Sequence, residues 1–208
     1  MNYIVFDLEW NQCPDGKEAG DPALPFEIIE IGAVKLDGSL QETGRFHRII
    51  RPAVYPTLNS HTREIVQMDE KKLKSGIPVP DAVREFLSFC GGDAMFCTWG
   101  PADLTELQRN LKYYGMLSLI RGPLHYYDVQ KLFAIQYETM KSRKSLEYAA
   151  DFLHFDRSLA FHQALSDAVY TARVFQTIDP MIRHAYDSID VYQNPKTKKE
   201  EIHAVYNG

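Results

Sequence analysis

Tyr3-Ile4-Val5-Phe6-Asp7-Leu8-Glu9-Trp10 is a run of β-formers into which an acid is set at two alternate places. It is too short for a helix and rich in aromatic and β-branched residues, so it reads as a strand. On a strand, residues i and i+2 point to the same face. Asp7 and Glu9 therefore project side by side from an otherwise apolar segment. Burying two adjacent like charges is costly unless a cation compensates them, and a divalent metal is the economical candidate. The bland alternative is an edge strand whose acids face water. The spacing alone leaves both readings open.

Outward from this run, a loop with Pro14, Gly16, Gly20, Pro22 and Pro25 leads to a second strand over Glu27 to Leu36. That strand ends in Asp37-Gly38, a hairpin signal. A third strand, Gly44 to Ile50, stops at Pro52. Three sequential strands with short turns predict an antiparallel meander. The second half alternates. Pro80 to Cys90 places Val83, Phe86, Leu87 and Cys90 at helical spacing, and Gly91-Gly92 ends it. A short strand over Ala94 to Trp99 follows, then a helix over Ala102 to Tyr114 stopped by Gly115. A strand over Leu124 to Tyr127 and helices near Val129–Tyr137 and Ser145–Leu153 come next. The last strong helix runs from about Gln163 to Thr177, with Pro180 closing the segment. Strands followed by β-α-β-α imply an α/β fold, a mixed sheet with helices on its faces. No internal repeat or long linker divides the chain. Residues 1–180 are expected to form one domain and residues 181–208 a polar C-terminal extension.

Composition sets outer limits. The 208 residues, 45% apolar and 25% charged, suit one soluble domain with a substantial core. No apolar run approaches the roughly 18 residues of a membrane span, and no membrane partner is expected. Met1 to Asp7 meets an acid early and shows no basic leader, so a secretory signal is not expected. Cys13, Cys90 and Cys97 are too few and scattered for a disulfide framework or a zinc site, which points to a reduced, cytoplasmic setting. A net charge of −5 is unusual for a nucleic-acid protein, but a knot of metal-holding carboxylates would account for it.

Three further residues are candidates for chemistry. His162 and Asp167 stand five apart, roughly 140° around a straight helix. Both reach one site only if His162 precedes the helix and Asp167 lies within it. Ala164, Ala168 and Ala172 would let that helix lie close to the sheet. The alternative is a surface histidine and a solvent-facing acid. Asp103 follows the turn Trp99-Gly100-Pro101 and reads equally as an acid complementing a helix dipole. Asp128 has the same ambiguity and is taken as a cap or turn residue. Arg143 and Lys144 could bind phosphates, although such a pair of charges is usually just solvated.

A family resemblance discriminates among these readings. Phe6-Asp7-Leu8-Glu9-Trp10 with Glu30-Ile31-Gly32-Ala33-Val34 resembles the first motif of the DEDD exonuclease superfamily. Thr98-Trp99-Gly100-Pro101-Ala102-Asp103 looks like the second. His162-Gln163-Ala164-Leu165-Ser166-Asp167-Ala168, continuing to Thr171-Ala172, is similar to the third in its histidine-containing DEDDh form. The opening motif looks most like the branch that trims histone mRNA and small interfering RNAs. At Ile65-Val66-Gln67-Met68 many relatives carry Leu-Thr-Gly-Ile, a segment that helps hold the terminal base; the Thr-Gly pair is missing here.

The resemblance implies a ribonuclease H-like fold, a five-stranded mixed sheet with three antiparallel and then two parallel strands, flanked by helices. It implies a 3′→5′ exonuclease acting on single-stranded RNA or DNA with a free 3′ end and releasing nucleoside 5′-monophosphates. Asp7, Glu9, Asp103 and Asp167 would hold two Mg²⁺ or Mn²⁺ ions, whose preference is for oxygen ligands. His162 would be the general base, since imidazole titrates near neutrality. Leu8, Trp10, Met68 and Trp99 are candidate surfaces for the substrate's bases. RNA is the expected substrate, with a DNA proofreading or repair exonuclease as the alternative. An inert binding module or a ribonuclease H-type endonuclease would fit less well, because all five positions are filled.

Overall fold

The computed structural model describes residues 1–66, 68–120, 124–186 and 188–189. Three long strands open the chain: β1 (Asn2–Asn11), β2 (Glu27–Leu36) and β3 (Glu42–Arg51). Two short helices, α1 (Ser60–Val66) and α2 (Glu70–Lys74), lead to β4 (Ile77–Pro78) and α3 (Val79–Cys90). Then come β5 (Ala94–Thr98), α4 (Ala102–Tyr113), β6 (His125–Asp128) and α5 (Val129–Tyr137). Last are α6 (Leu146–Phe152), α7 (Ala164–Thr177), α8 (Pro180–Ala185) and β7 (Ser188–Ile189).

The strands lie in the order β4-β3-β2-β1-β5-β6-β7. β1, β2 and β3 form the antiparallel meander, and β5 and β6 add in parallel on the other side of β1. This is the expected ribonuclease H-like arrangement, with one difference: two-residue strands extend both edges of the five. β4 reaches β3 because Gly76 has no side chain. A β-carbon there would stand 2.7 Å from the Arg51 nitrogen. Pro78 then ends the pairing, having no N–H to give.

Alternation along β1 divides the core. Ile4, Phe6 and Leu8 face α3 and α4, packing with Phe86, Phe96, Leu104 and Leu107. Tyr3 and Val5 face the opposite layer, with Val169 and Phe175 of α7 and Phe133 of α5. Asp7 and Glu9 continue this second face. Parallel pairing with β5 ends at Val5–Cys97, so β1 runs on beyond that neighbour and carries both acids past the carboxyl end of the parallel strands.

The turn after β2 differs from expectation. An Asp-Gly pair closing a tight hairpin needs both residues at positive φ. Here the loop runs from Asp37 to Gln41 and the left-handed residue is Leu40, at φ 60°. The Asp37 carboxylate closes it by accepting the Ser39 and Gln41 N–H groups at 2.8 and 2.9 Å.

The expected polar extension over residues 181–208 lies largely outside the described residues. Its first part is helical: Pro180 opens α8, with Asp179 accepting the Met181 N–H at 2.7 Å. No helix among the described residues is long and apolar enough to cross a membrane. Cys13, Cys90 and Cys97 are free thiols.

Candidate active site

Gly32 of β2 sits opposite Asp7 of β1 in the sheet register. A β-carbon at Gly32 would overlap the backbone of Ala164 and Leu165, so the first turn of α7 rests directly on the strand. Ala164 and Ala168 are fully buried and add no bulk. This approach brings Asp167, in that first turn, over the acids of β1. Asp7, Glu9 and Asp167 each present a carboxylate oxygen within 4.8 Å of the other two. Asp103 lies outside this trio. It sits at the start of α4 with Oδ1 accepting the Leu8 N–H at 3.0 Å, which fixes α4 against the middle of β1.

Asp167 is held by its other flank. Its Oδ2 accepts the His162 backbone N–H at 3.0 Å. Its Oδ1 is buried and has no hydrogen-bond partner among the described residues. A buried carboxylate oxygen left bare beside two further carboxylates is a donor set suited to a hard divalent cation.

Charge repulsion is visible in the protonation of the group. Burial, then Asp103, Glu9, Asp167 and Glu30, raise the Asp7 carboxyl well above its ordinary value. Glu9 is pushed up to about 8 by burial, with Asp167, Glu30 and Asp103 adding to it. Burial also lifts Asp103 and Asp167 to about 7, against the opposing hydrogen bonds from Leu8 and His162. Full ionisation of this cluster at neutral pH thus calls for a compensating cation.

His162 immediately precedes the helix, in a left-handed backbone conformation at φ 61°. Its side chain is 55% exposed, and Nε2 lies 4.0 Å from Glu147 Oε1. All five residues line one cleft of about 530 Å³.

The residues expected to contact bases divide. Trp10 and Trp99 line the cleft, Trp10 against Phe26 at 5.8 Å between ring centres and Trp99 donating from Nε1 to the Lys144 carbonyl at 3.2 Å. Leu8 touches the cleft but packs almost wholly into the opposite core layer. Met68 is not brought to the cleft. It is buried with Ile29, Leu58, Val66 and Leu73, while Ile65 and Val66 of α1 line the cleft wall. Gln12, Phe26, His61 and Thr62 also line the cleft. They come from loops and a short helix, where no periodicity marks them. Glu30 was likewise hidden. It pairs with Glu9 across the sheet, is buried, and bonds His47 Nε2 at 2.7 Å. Asp128 caps α5, accepting the Lys131 N–H at 2.9 Å and pairing with Arg143 at 3.1 Å.

A ribonuclease H-like sheet with converging carboxylates beyond the end of its central strands defines a nuclease. The sequence profile of the RNase T family, described as exonuclease, matches residues 4–175. The chain belongs to this exonuclease family, within the DEDD superfamily. No curated protein matches it in sequence.

Several solved structures share the fold. The nuclease domain of 3′hExo, a DEDDh family member bound to rAMP, has a TM-score of 0.72 at 18% identity, over 84% of this chain and 90% of that one. S. pombe Pop2p, in an Mg²⁺- and Mn²⁺-bound form, gives 0.62 at 19%, over 84% and 81%. Exonuclease X, in complex with 5′ overhanging duplex DNA, gives 0.56 at 14%, over 88% and 92%.

Proposed function

We propose that the protein removes nucleotides one at a time from the 3′ end of single-stranded nucleic acid, RNA in preference to DNA, and releases nucleoside 5′-monophosphates. The observation that carries this reading is the Asp7, Glu9 and Asp167 trio within 4.8 Å, together with the buried Asp167 Oδ1, which has no hydrogen-bond partner among the described residues. These three residues, with Asp103, would hold two Mg²⁺ or Mn²⁺ ions. When bound, such ions stabilise negative charge on the phosphate and on the leaving oxygen.

The remaining work falls to the chain's own groups. His162 stands at the cleft rim, outside the acid trio, where its imidazole can take the proton of the attacking water. Asp167 holds the backbone of that histidine while offering its other oxygen to the site. Trp10 and Trp99 flank the space for the terminal nucleotide. A cleft of about 530 Å³ is of small-ligand size and suits a frayed end better than an intact duplex. Preference for RNA rests on the subfamily resemblance and on the ribonucleotide held by the 3′hExo domain. Exonuclease X with its DNA keeps the alternative in view.

The deciding experiment incubates 3′-labelled and 5′-labelled RNA and DNA oligomers with Mg²⁺, with Mn²⁺ and with chelator. The expected result is metal-dependent release of 5′-monophosphates from the 3′ end, faster on RNA. Equal or faster cleavage of matched DNA would remove the RNA preference. Internal cuts, or activity surviving chelation, would overturn the mechanism.

A further inference from the structure

We propose a second binding surface outside the cleft, an aromatic and basic rim of Arg143, Lys144 and Tyr148. It would hold the upstream nucleotides of a strand whose 3′ end lies among the carboxylates. The inference rests on the function proposed above for its substrate class, and on separate residues for its location.

Lys141, Arg143 and Lys144 place three cations within four positions of a chain whose net charge is −5. Their loop is fastened to the cleft wall. The Lys144 carbonyl accepts from Trp99 Nε1 at 3.2 Å and from Gln130 Nε2 at 2.8 Å. Among the described residues Arg143 is anchored only through Nη1, to Asp128 at 3.1 Å and Gln130 at 3.5 Å, while its side chain stays 55% exposed. The rest of its guanidinium fork is left to face a phosphate. Lys144 makes no ion pair among the described residues. Its ammonium lies over the Tyr148 ring, 4.5 Å from the centroid.

That ring belongs to an exposed, rigid aromatic surface. Tyr148 and Phe152 stack with centroids 6.2 Å apart and planes at 22°, and both stand edge-on to buried Phe133. They are 37% and 42% exposed, far more than core packing requires. The Tyr148 hydroxyl is tied to Glu138 at 2.6 Å, so the ring is already oriented.

The neighbouring carboxylates each face a partner. Glu138 holds Tyr148, Asp151 pairs with Arg157 at 2.6 Å, and Glu147 faces His162. The last contact also joins the rim to the cleft, because Glu147, next to Tyr148 in the chain, lies 4.0 Å from the cleft residue His162. A platform of exposed aromatic rings and cations with donors to spare is what a single strand recognises, bases against the rings and phosphates on the charges. It also answers a physical need. A polyanion with its end among carboxylates is retained better by cations placed just beyond them.

The test compares Lys144→Glu, at a half-buried position, and Tyr148→Ala, at an exposed one, with wild type on a dinucleotide and on an oligomer of roughly 10–12 nucleotides. KM for the oligomer should rise about 5–100-fold more than KM for the dinucleotide. The salt dependence of oligomer binding should also flatten in Lys144→Glu. A parallel arm measures binding of the labelled oligomer by anisotropy in chelator, where no turnover occurs. Loss of binding in both variants supports the rim even if wild type cleaves neither substrate, a result that would sink the proposed activity alone. Oligomer affinity equal to wild type, or equal losses on both substrates, would overturn the rim.

Discussion

Asp167 accepts the backbone N–H of His162 at 3.0 Å, so an acid of the site is positioned by the main chain of the residue proposed as base. The two functions are therefore separable by mutation, since a side-chain change at His162 leaves that N–H in place. His162→Asn tolerates the left-handed backbone there. It should keep Mn²⁺ binding, measured by calorimetry, while turnover falls about 10²–10⁴-fold. Asp167→Ala should lose ion binding as well as turnover. Near wild-type turnover in His162→Asn would end the general-base assignment.

The acids predict an unusual pH dependence for the chelated protein. Glu9 ionises at about 8 and Asp103 and Asp167 at about 7 when folded, against ordinary values of 4.5 and 3.8. Between those limits the folded state holds more protons than the unfolded chain, so stability falls as pH rises. The contribution of these groups is retained below the ordinary values and lost through about pH 7–8. The thermal midpoint in chelator should decline from about pH 5 to about pH 8, and Mg²⁺ or Mn²⁺ should reverse the decline at the upper end. A chelated midpoint that climbs across this window would contradict the repulsion.

Replacing one acid should relieve that repulsion. Asp7→Asn removes a group whose ionisation is opposed by burial and then by Asp103, Glu9, Asp167 and Glu30. The variant should be inactive and yet melt higher than wild type in chelator at pH 8 (about 2–8 °C for 1–2 kcal/mol). Its Mn²⁺ affinity should be lower. Unchanged ion binding in calorimetry would show that Asp7 is not a ligand.

An enzyme that needs a terminus should ignore a circle. Linear single strands should be degraded and ligated circles of the same sequence left intact, as read on a denaturing gel. Efficient cutting of circles would make the activity endonucleolytic.

Much of this architecture was legible because hydrophobic pattern dominates long elements. β2 begins and ends where the residues indicated, and α5 likewise. Helices α1 and α2 were missed: at seven and five residues they show too little periodicity to stand out. The signal available for α2 was Asp69, whose carboxylate accepts the Lys72 N–H at 2.6 Å. Met68 was placed at the cleft by matching it to the last residue of the relatives' Leu-Thr-Gly-Ile segment, whereas Ile65 and Val66 line the wall. The four acids and His162 stood out through their likeness to the three family motifs, since spacing alone left each of them ambiguous, and one cleft gathers them. Glu30 was not, because an acid in a strand reads the same whether it meets water or His47.

The seating of α7 on Gly32 has a further consequence for how this site tolerates change. Peptide lies against peptide there, and no side chain intervenes between helix and strand. The separation of Asp167 from Asp7 is thus gauged by the thickness of the main chain, which no substitution elsewhere in the core alters directly. The helix has a mechanical stop made of main chain, and it holds for as long as position 32 carries no side chain.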